Sequence, residues 1–298
     1  MTESVKKRQS GIRPVTETSL KGRKAPRKEA HEKAFFGMIW AVAGLTLAVL
    51  FLILGFILVK GVPHITWTFL SKEPEALGAE GGIFSVIVGT LAVTVLAVLI
   101  STPIGVAGAV YFSEYSKGGR IIKIIRFFTE VLAGIPSIIF GLFGFAFFVV
   151  YMQMGWSVIA GALTLTLMIL PTIVRTTEEA LKTVPMSYRE GSLSLGATKW
   201  YTIKKVVLPC CKGGILTGVI LGVGRAIGET AALMLTIGGS LNIPTSLFSS
   251  TRTIALHLYM LASEGISDDK TYACAALLIM IVLLINTAAN RIGRNISK

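Results

Sequence analysis

Six apolar runs, each long enough to cross a lipid hydrocarbon core, dominate this sequence. They fall at residues 35–59, 83–112, 127–151, 156–174, 213–238 and 272–290. A helix rises about 1.5 Å per residue, so about 20 apolar residues span a core roughly 30 Å thick. No water reaches that core to pair backbone N–H and C=O groups, and a helix pairs them within one segment. The runs predict an all-α integral membrane protein with six transmembrane helices over residues 35–298. Charged residues make up 15% of the chain, well below the ~25% of soluble domains. Pro103 and Gly105 are expected to kink or end the second helix.

The net charge of +13 invites a nucleic-acid reading, and the charge map removes it. Ten lysines and arginines lie within residues 1–34, and most others flank apolar runs. That placement is a topology signal rather than a binding face. Residues 1–34 carry Gly11, Pro14, Gly22 and Pro26 among their charges and read as a disordered basic tail. The run that follows is too long for a signal-peptide core, so it is expected to be retained. Along the chain, the segments outside the apolar runs alternate between rich and poor in lysine and arginine. Six spans with both termini in the cytoplasm satisfy all of them. Cys210, Cys211 and Cys274 form no CxxC pair and read as small helix residues. His31, His64 and His257 show no metal-ligand spacing.

The fifth run places unusual chemistry in a lipid-length segment. Gly214, Gly218 and Gly222 form a GxxxGxxxG row of the kind that packs helices closely. At about 100° per residue, Arg225, Glu229 and Thr236 fall in the same arc of about 80° if the run is one helix. Arg225 lies some 18 Å into that helix. A charge facing lipid at that depth costs from about 3 to over 10 kcal/mol, so Arg225 must face protein or a water-filled path. The plain reading is an ion pair with Glu229 one turn away, worth up to about 4 kcal/mol at 4 Å and an effective dielectric near 20. The functional reading is an anion path, because the arginine fork matches phosphate oxygens and keeps its charge. Glu229 would then hold Arg225 while the path is empty. Arg175, at the end of the fourth run, reads as an anchor at the membrane surface or as a second positive station. Glu130 reads as the local partner of Arg126, four residues earlier.

The loop at 175–209 is expected to form two short helices with a glycine turn. Pro185 ends the first helix, and Gly196 ends the second with a positive φ. Composition alone would let this basic, amphipathic loop lie on anionic lipid. The spacing says more. Glu190, Gly196 six residues on, and the ending Val206-Val207-Leu208-Pro209 resemble the Glu-Ala-Ala signature of bacterial ABC-importer permeases. Gly191 and Ser192 stand where that signature has alanines. The resemblance implies a coupling helix that docks into a separate ATPase.

Four stretches carry a closer resemblance: GGIFSVIVGT (81–90), LAGIPSIIFGLFG (132–144), LPTIVRTTEEALKTVP (170–185) and GRAIGETAALMLT (224–236). Over roughly residues 80–298 the chain resembles PstA-type permeases of bacterial phosphate ABC importers. The sister PstC type carries an element related to the last stretch. The resemblance implies an ABC type I importer permease fold in the bacterial cytoplasmic (inner) membrane. It also implies a heterodimer with a PstC-type permease, two PstB-type ATP-binding subunits and an extracytoplasmic PstS-type phosphate-binding protein. Arg225, Glu229 and Arg175 are the matching positions for the phosphate path.

Phosphate entry into a negative interior is uphill by about 2.3 kcal/mol per charge per 100 mV. No Gly-Lys dipeptide, and so no Walker A motif, occurs in the chain. ATP and Mg are therefore expected on the partner, with no cofactor here. Two other readings stay open. One is a permease for phosphonate, molybdate or sulfate; the other is a membrane signalling scaffold. A membrane-embedded enzyme lacks support, since the runs hold no histidine cluster, paired aspartates or GxSxG.

Overall fold

The structure is a computed structural model that describes residues 26–116 and 119–296. The chain divides into two compact units, Met1–Gly55 and Phe56–Lys298. Residues 1–25 of the expected basic tail lie outside the described residues. Helix α1, Pro26–Gly61, begins within the remainder of that tail. In the first unit, the α1 side chains from Phe35 to Ile53 are all exposed, as suits a helix whose solvent is lipid.

The second unit is mostly helical, with a small cap near its start and an irregular segment at 237–253. Helix α2 (Trp67–Ser71) is followed by two-residue antiparallel strands, β1 (Pro74–Glu75) and β2 (Glu80–Gly81). Then come α3 (Phe84–Val110), α4 (Arg120–Gly134), α5 (Ser137–Gly144) and α6 (Val158–Thr183). After these lie α7 (Met186–Ser194), α8 (Lys199–Thr202), α9 (Leu208–Cys210), α10 (Lys212–Ile227), α11 (Ala231–Thr236), α12 (Ile254–Ser263) and α13 (Asp268–Ile296). Short π-helical turns extend α3 to Tyr115 and α5 to Tyr151.

Four described helices are long and apolar enough to cross a membrane: Phe35–His64, Phe84–Tyr115, Val158–Thr183 and Asp268–Ala288. Two bent pairs bring the total to six if each pair counts as one span. Helix α6 is the centre: 67% of its most apolar window is buried, against 17% for α13. Ser157 starts it by accepting a hydrogen bond from Ala160 N at 3.3 Å. Val93 and Ala97 of α3, Phe140 of α5, Leu165 and Ile169 of α6, and Leu233 of α11 meet in its main core.

The glycine row does what its spacing predicts. A Cβ on Gly214 would strike Ala180, and one on Gly218 would strike Thr176 Oγ1. One on Gly222 would sit 3.7 Å from Ile173. Helices α10 and α6 therefore run antiparallel with their backbones in close approach. Lipid supplies no hydrophobic drive between helices, so this van der Waals fit holds them.

Two expected spans are broken, whereas the helix end expected near Pro103 and Gly105 of another is not formed. Helix α3 continues through Pro103 to Val110, with Gly105 lying tight against Ile173 of α6; neighbouring helices make such prolines tolerable. The run at 127–151 is broken into α4 and α5, which are bent by 104°. Pro136 causes the break by driving Ile135 out of the helical region, to φ −70° and ψ 134°. The run at 213–238 stops at Gly228 and restarts as α11. The continuous stripe expected on that fifth helix is thereby corrected.

The residues after α11 return to the Val158 end of α6. Arg252 is buried there and donates to Gly239 O at 2.7 and 3.1 Å. Its Nη1 lies 3.3 Å from Nδ1 of His257, whose side chain is fully buried. Burial, and then the Arg252 charge, push the His257 pKa down to about 4.

Two outcomes follow. Gly218→Leu is expected to lower the thermal midpoint of the detergent-solubilised chain, with a cost of about 1–3 kcal/mol for forced separation of α6 and α10. A similar midpoint for the variant and the parent would contradict this packing. For His257 the unfolded chain binds the extra proton between about pH 6.5 and the folded value near 4, so stability is full above pH 6.5 and falls as pH drops through that window. Thermal midpoints at pH 7.5 and 5 should differ for the parent and differ less for His257→Asn.

Candidate functional site

Arg225 stands one turn beyond Gly222, whose position faces Ile169 and Ile173 near the midpoint of α6. That packing puts Arg225 at mid-depth of the central helix. The side chain is exposed, and among the described residues no carboxylate oxygen lies within 4 Å of it. The expected pair with Glu229 is therefore not formed. The reason is local: α10 ends at Gly228, so residues 225 and 229 no longer stack one turn apart. Glu229 Oε1 instead accepts from Ala232 N at 3.1 Å and caps α11, where a carboxylate meets unpaired backbone N–H groups.

Thr236, expected on the same stripe, is fully buried at the other end of α11. It donates to Ala232 O at 3.0 Å and packs its methyl against Gly144. The structure brings the three glycines together on α6, keeps Arg225 and Glu229 near the break, and separates Thr236 from them.

A second charged region lies toward the Thr183 end of α6. A cavity of about 220 Å³ is lined there by Arg126, Glu130, Arg175, Glu178, Glu179 and Lys182, among others. Arg126 pairs with Glu178 at 2.6 Å, and Lys182 pairs with the same oxygen at 3.1 Å. Arg126 therefore does not take Glu130 as partner, contrary to expectation. Glu178 is the better buried carboxylate, at 10% side-chain exposure, and it joins α4 to α6. Arg175 is exposed and pairs with Glu179 at 3.3 Å.

The third region is the knob. Helix α6 ends at Thr183, Pro185 turns the chain, and α7 runs from Met186 to Ser194. Gly196 follows with φ +82°, as expected of the glycine turn. Ser192 Oγ meets Thr202 Oγ1 at 2.9 Å and ties α7 to α8. Glu190 and Gly191 are exposed on α7, with open space where a Cβ on Gly191 would be. Leu208 and Pro209 open α9, and the helical path then bends by 69° into α10. The α7–α8 turn lines an open cavity of about 820 Å³ with Tyr188, Leu195, Gly196 and Tyr201. Leu195 is 89% exposed.

Sequence reasoning missed what anchors this knob. Arg189 donates to Glu114 Oε1 from Nη2 at 2.7 Å and from Nε at 3.1 Å. It also donates to Val184 O at 2.7 Å and to Leu181 O at 3.0 Å. One guanidinium thus clasps the end of α6, the π turn after α3, and α7. Glu114 is 75 residues away in sequence, so no local spacing could reveal the pair.

Residues 101–298 match the family described as binding-protein-dependent transport system inner membrane component. The chain is 34% identical over 283 residues to a probable ABC transporter permease protein, YqgI, of Bacillus subtilis, covering 90% of this chain and 96% of that one. It is 33% identical over 259 residues to the phosphate transport system permease protein PstA of Pasteurella multocida, covering 86% and 88%. Among solved structures, a bacterial alginate ABC transporter chain superposes with a TM-score of 0.68 at 15% identity, covering 91% of this chain and 98% of that one. A chain of the MetNI methionine ABC transporter superposes at 0.59 with 23% identity, covering 70% and 94%. At those identities the likeness speaks for the fold, and it agrees with an ABC type I importer permease. The chain therefore belongs to the binding-protein-dependent transport system inner membrane component family, as a multi-pass permease subunit of an ABC importer.

Proposed function

We propose that this permease carries phosphate, and that Arg225 is the station at which the anion passes mid-membrane. A permease of this family works with an ATPase and a binding protein. In this reading those partners are two PstB-type subunits holding ATP and Mg, a PstS-type phosphate-binding protein, and a PstC-type permease completing the path. Both termini lie in the cytoplasm, so the Thr183 end of α6 and the knob are cytoplasmic. The observation that carries the reading is the exposed guanidinium of Arg225 at mid-depth, with no carboxylate within 4 Å among the described residues. Lipid is a costly neighbour for such a charge; an anion in a path shared with a second permease is a favourable one. The similarity to PstA proteins supplies the anion's identity. Glu229, held on α11, flanks the path, and Arg175 stands near the exit. The exposed surface of α7 and α8, with Glu190, Gly191, Ser192 and Gly196, is what the ATPase would grip.

Arg225→Gln should abolish uptake of radiolabelled phosphate while the chain still inserts into membranes. Arg225→Lys should retain a fraction, because it keeps the charge and loses the fork. Normal uptake by an inserted Arg225→Gln protein would sink the proposal. Competition by excess molybdate, sulfate or phosphonate that outmatches phosphate would transfer it to that anion.

Arg189→Ala strands Glu114, whose side chain is only 9% exposed. A loss of about 3–5 kcal/mol is expected from breaking such a pair. The thermal midpoint should fall clearly, and Glu114→Gln added to Arg189→Ala should recover part of it. A double variant no better than the single one would contradict the assigned role of the pair.

A further inference from the structure

We infer that Asn286 of α13 is a specificity-determining residue of the anion path, meeting the anion beside Arg225 and favouring oxyanions that carry a proton. This rests on the reading of Arg225 as the anion's station. Three observations carry it. First, the depth agrees. The carboxamide oxygen of Asn286 sits 3.8 Å from where a Cβ on Gly224 would lie. Gly224 directly precedes Arg225, so Asn286 stands at the level of that guanidinium. Second, the side agrees. Leu221, Arg225 and Gly228 are exposed on α10 and share an arc of about 60° at 100° per residue. The glycine row on α6 lies to one side of that strip, and Gly224, against α13, lies to the other. Asn286 therefore borders the strip on which Arg225 stands. On α13 it is about 110° round the helix from Leu283, Leu284 and Thr287, which line an open apolar groove. Third, the side chain is free. Asn286 is exposed inside an apolar run, and among the described residues its carboxamide has no hydrogen-bond partner, whereas Thr287 beside it closes its own bond to Leu283 O at 2.7 Å. An unpaired amide in hydrocarbon is costly, so one left open belongs beside water or a polar ligand.

The two side chains offer different chemistry. A guanidinium only donates, whereas a carboxamide donates from Nδ2 and accepts at Oδ1. Phosphate near neutral pH keeps at least one O–H; sulfate keeps none. Arg225 attracts both anions through charge. Asn286 Oδ1 can accept the phosphate O–H, but it meets sulfate with lone pair against lone pair. A site built to hydrogen-bond a substrate hydroxyl rejects the analogue that lacks it.

The test uses the chain reconstituted with its native partners. It carries Leu221→Cys as a reporter one turn before Arg225, in a Cys210→Ser background, since Cys211 and Cys274 are buried. The readout is the rate at which a sulfonate-bearing thiol reagent labels the reporter. Phosphate should slow labelling at a concentration about threefold to tenfold lower than sulfate, the worth of one hydrogen bond. Asn286→Leu should remove that preference, and Asn286→Gln should keep part of it, a rescue that a packing role does not predict. Asn286→Ala serves if Asn286→Leu fails to assemble. A parental phosphate preference in the assembled Asn286→Leu protein overturns the inference, as does equal protection by both anions in the reporter protein. Arg225→Gln separates the two readings. If it leaves phosphate protection intact, the Arg225 station fails; if it removes protection while Asn286→Leu keeps the preference, only the role of Asn286 fails. A reporter that is never labelled shows a dry strip and overturns both.

Discussion

The close contact between α10 and α6 sets the frame for the rest of the second unit. Helices in lipid gain nothing from hiding apolar surface from one another, so they associate where their backbones can approach. Gly214, Gly218 and Gly222 provide that approach against Ala180, Thr176 and the Ile169–Ile173 turn. The contact fixes the register of the two helices, and register fixes depth. Arg225 is placed at the level of the α6 midpoint by its neighbour Gly222 rather than by any bond of its own. The same helix α6 receives α3 through Gly105 and Ile173, and receives α11 through Gly161 and Leu233. Small residues thus recur where α3, α10 and α11 approach α6.

Charge is distributed by the same logic. Toward the Thr183 end of α6 several ionisable groups are bridged: Arg126 and Lys182 to Glu178, Arg175 to Glu179, Arg189 to Glu114. Arg189 and Glu114 are nearly buried and share further bonds to backbone carbonyls, so this bridge is part of the architecture rather than surface decoration. Among the described residues, Arg225 has no such bridge. A family of ABC importer permeases, a mid-depth guanidinium and relatives named for phosphate transport are mutually consistent, and each rests on a different kind of observation.

The helix breaks matter as much as the helices. Pro136 turns α4 nearly perpendicular to α5, and Gly228 ends α10 one residue before Glu229. At each break, backbone groups leave the helical ladder and must be satisfied otherwise. Glu229 does this for Ala232 N. Irregular backbone at membrane depth belongs where it faces protein or a cavity, which agrees with a path beside Arg225.

Much of this was readable from the sequence. The apolar runs located the membrane helices, because length and hydropathy are local properties. The GxxxGxxxG row foretold a close helix contact, and Pro185 and Gly196 foretold the knob, because backbone sterics are local as well. The resemblance in the 224–236 and 170–185 stretches pointed to the family that the comparisons established. Partners at long range were not readable. Nothing near Arg189 announces Glu114, and nothing near Arg126 announces that Glu178, rather than Glu130 one turn away, will take it. The stripe joining Arg225, Glu229 and Thr236 assumed a continuous helix, and hydropathy does not register a break that a glycine and a capping carboxylate create. The sequence by itself determined that this chain is a multi-span helical permease with an arginine deep in its fifth apolar run. Only the tertiary structure decided that this arginine stands apart from Glu229 and faces outward, because the end of a helix and the partner of a charge depend on what packs beside them.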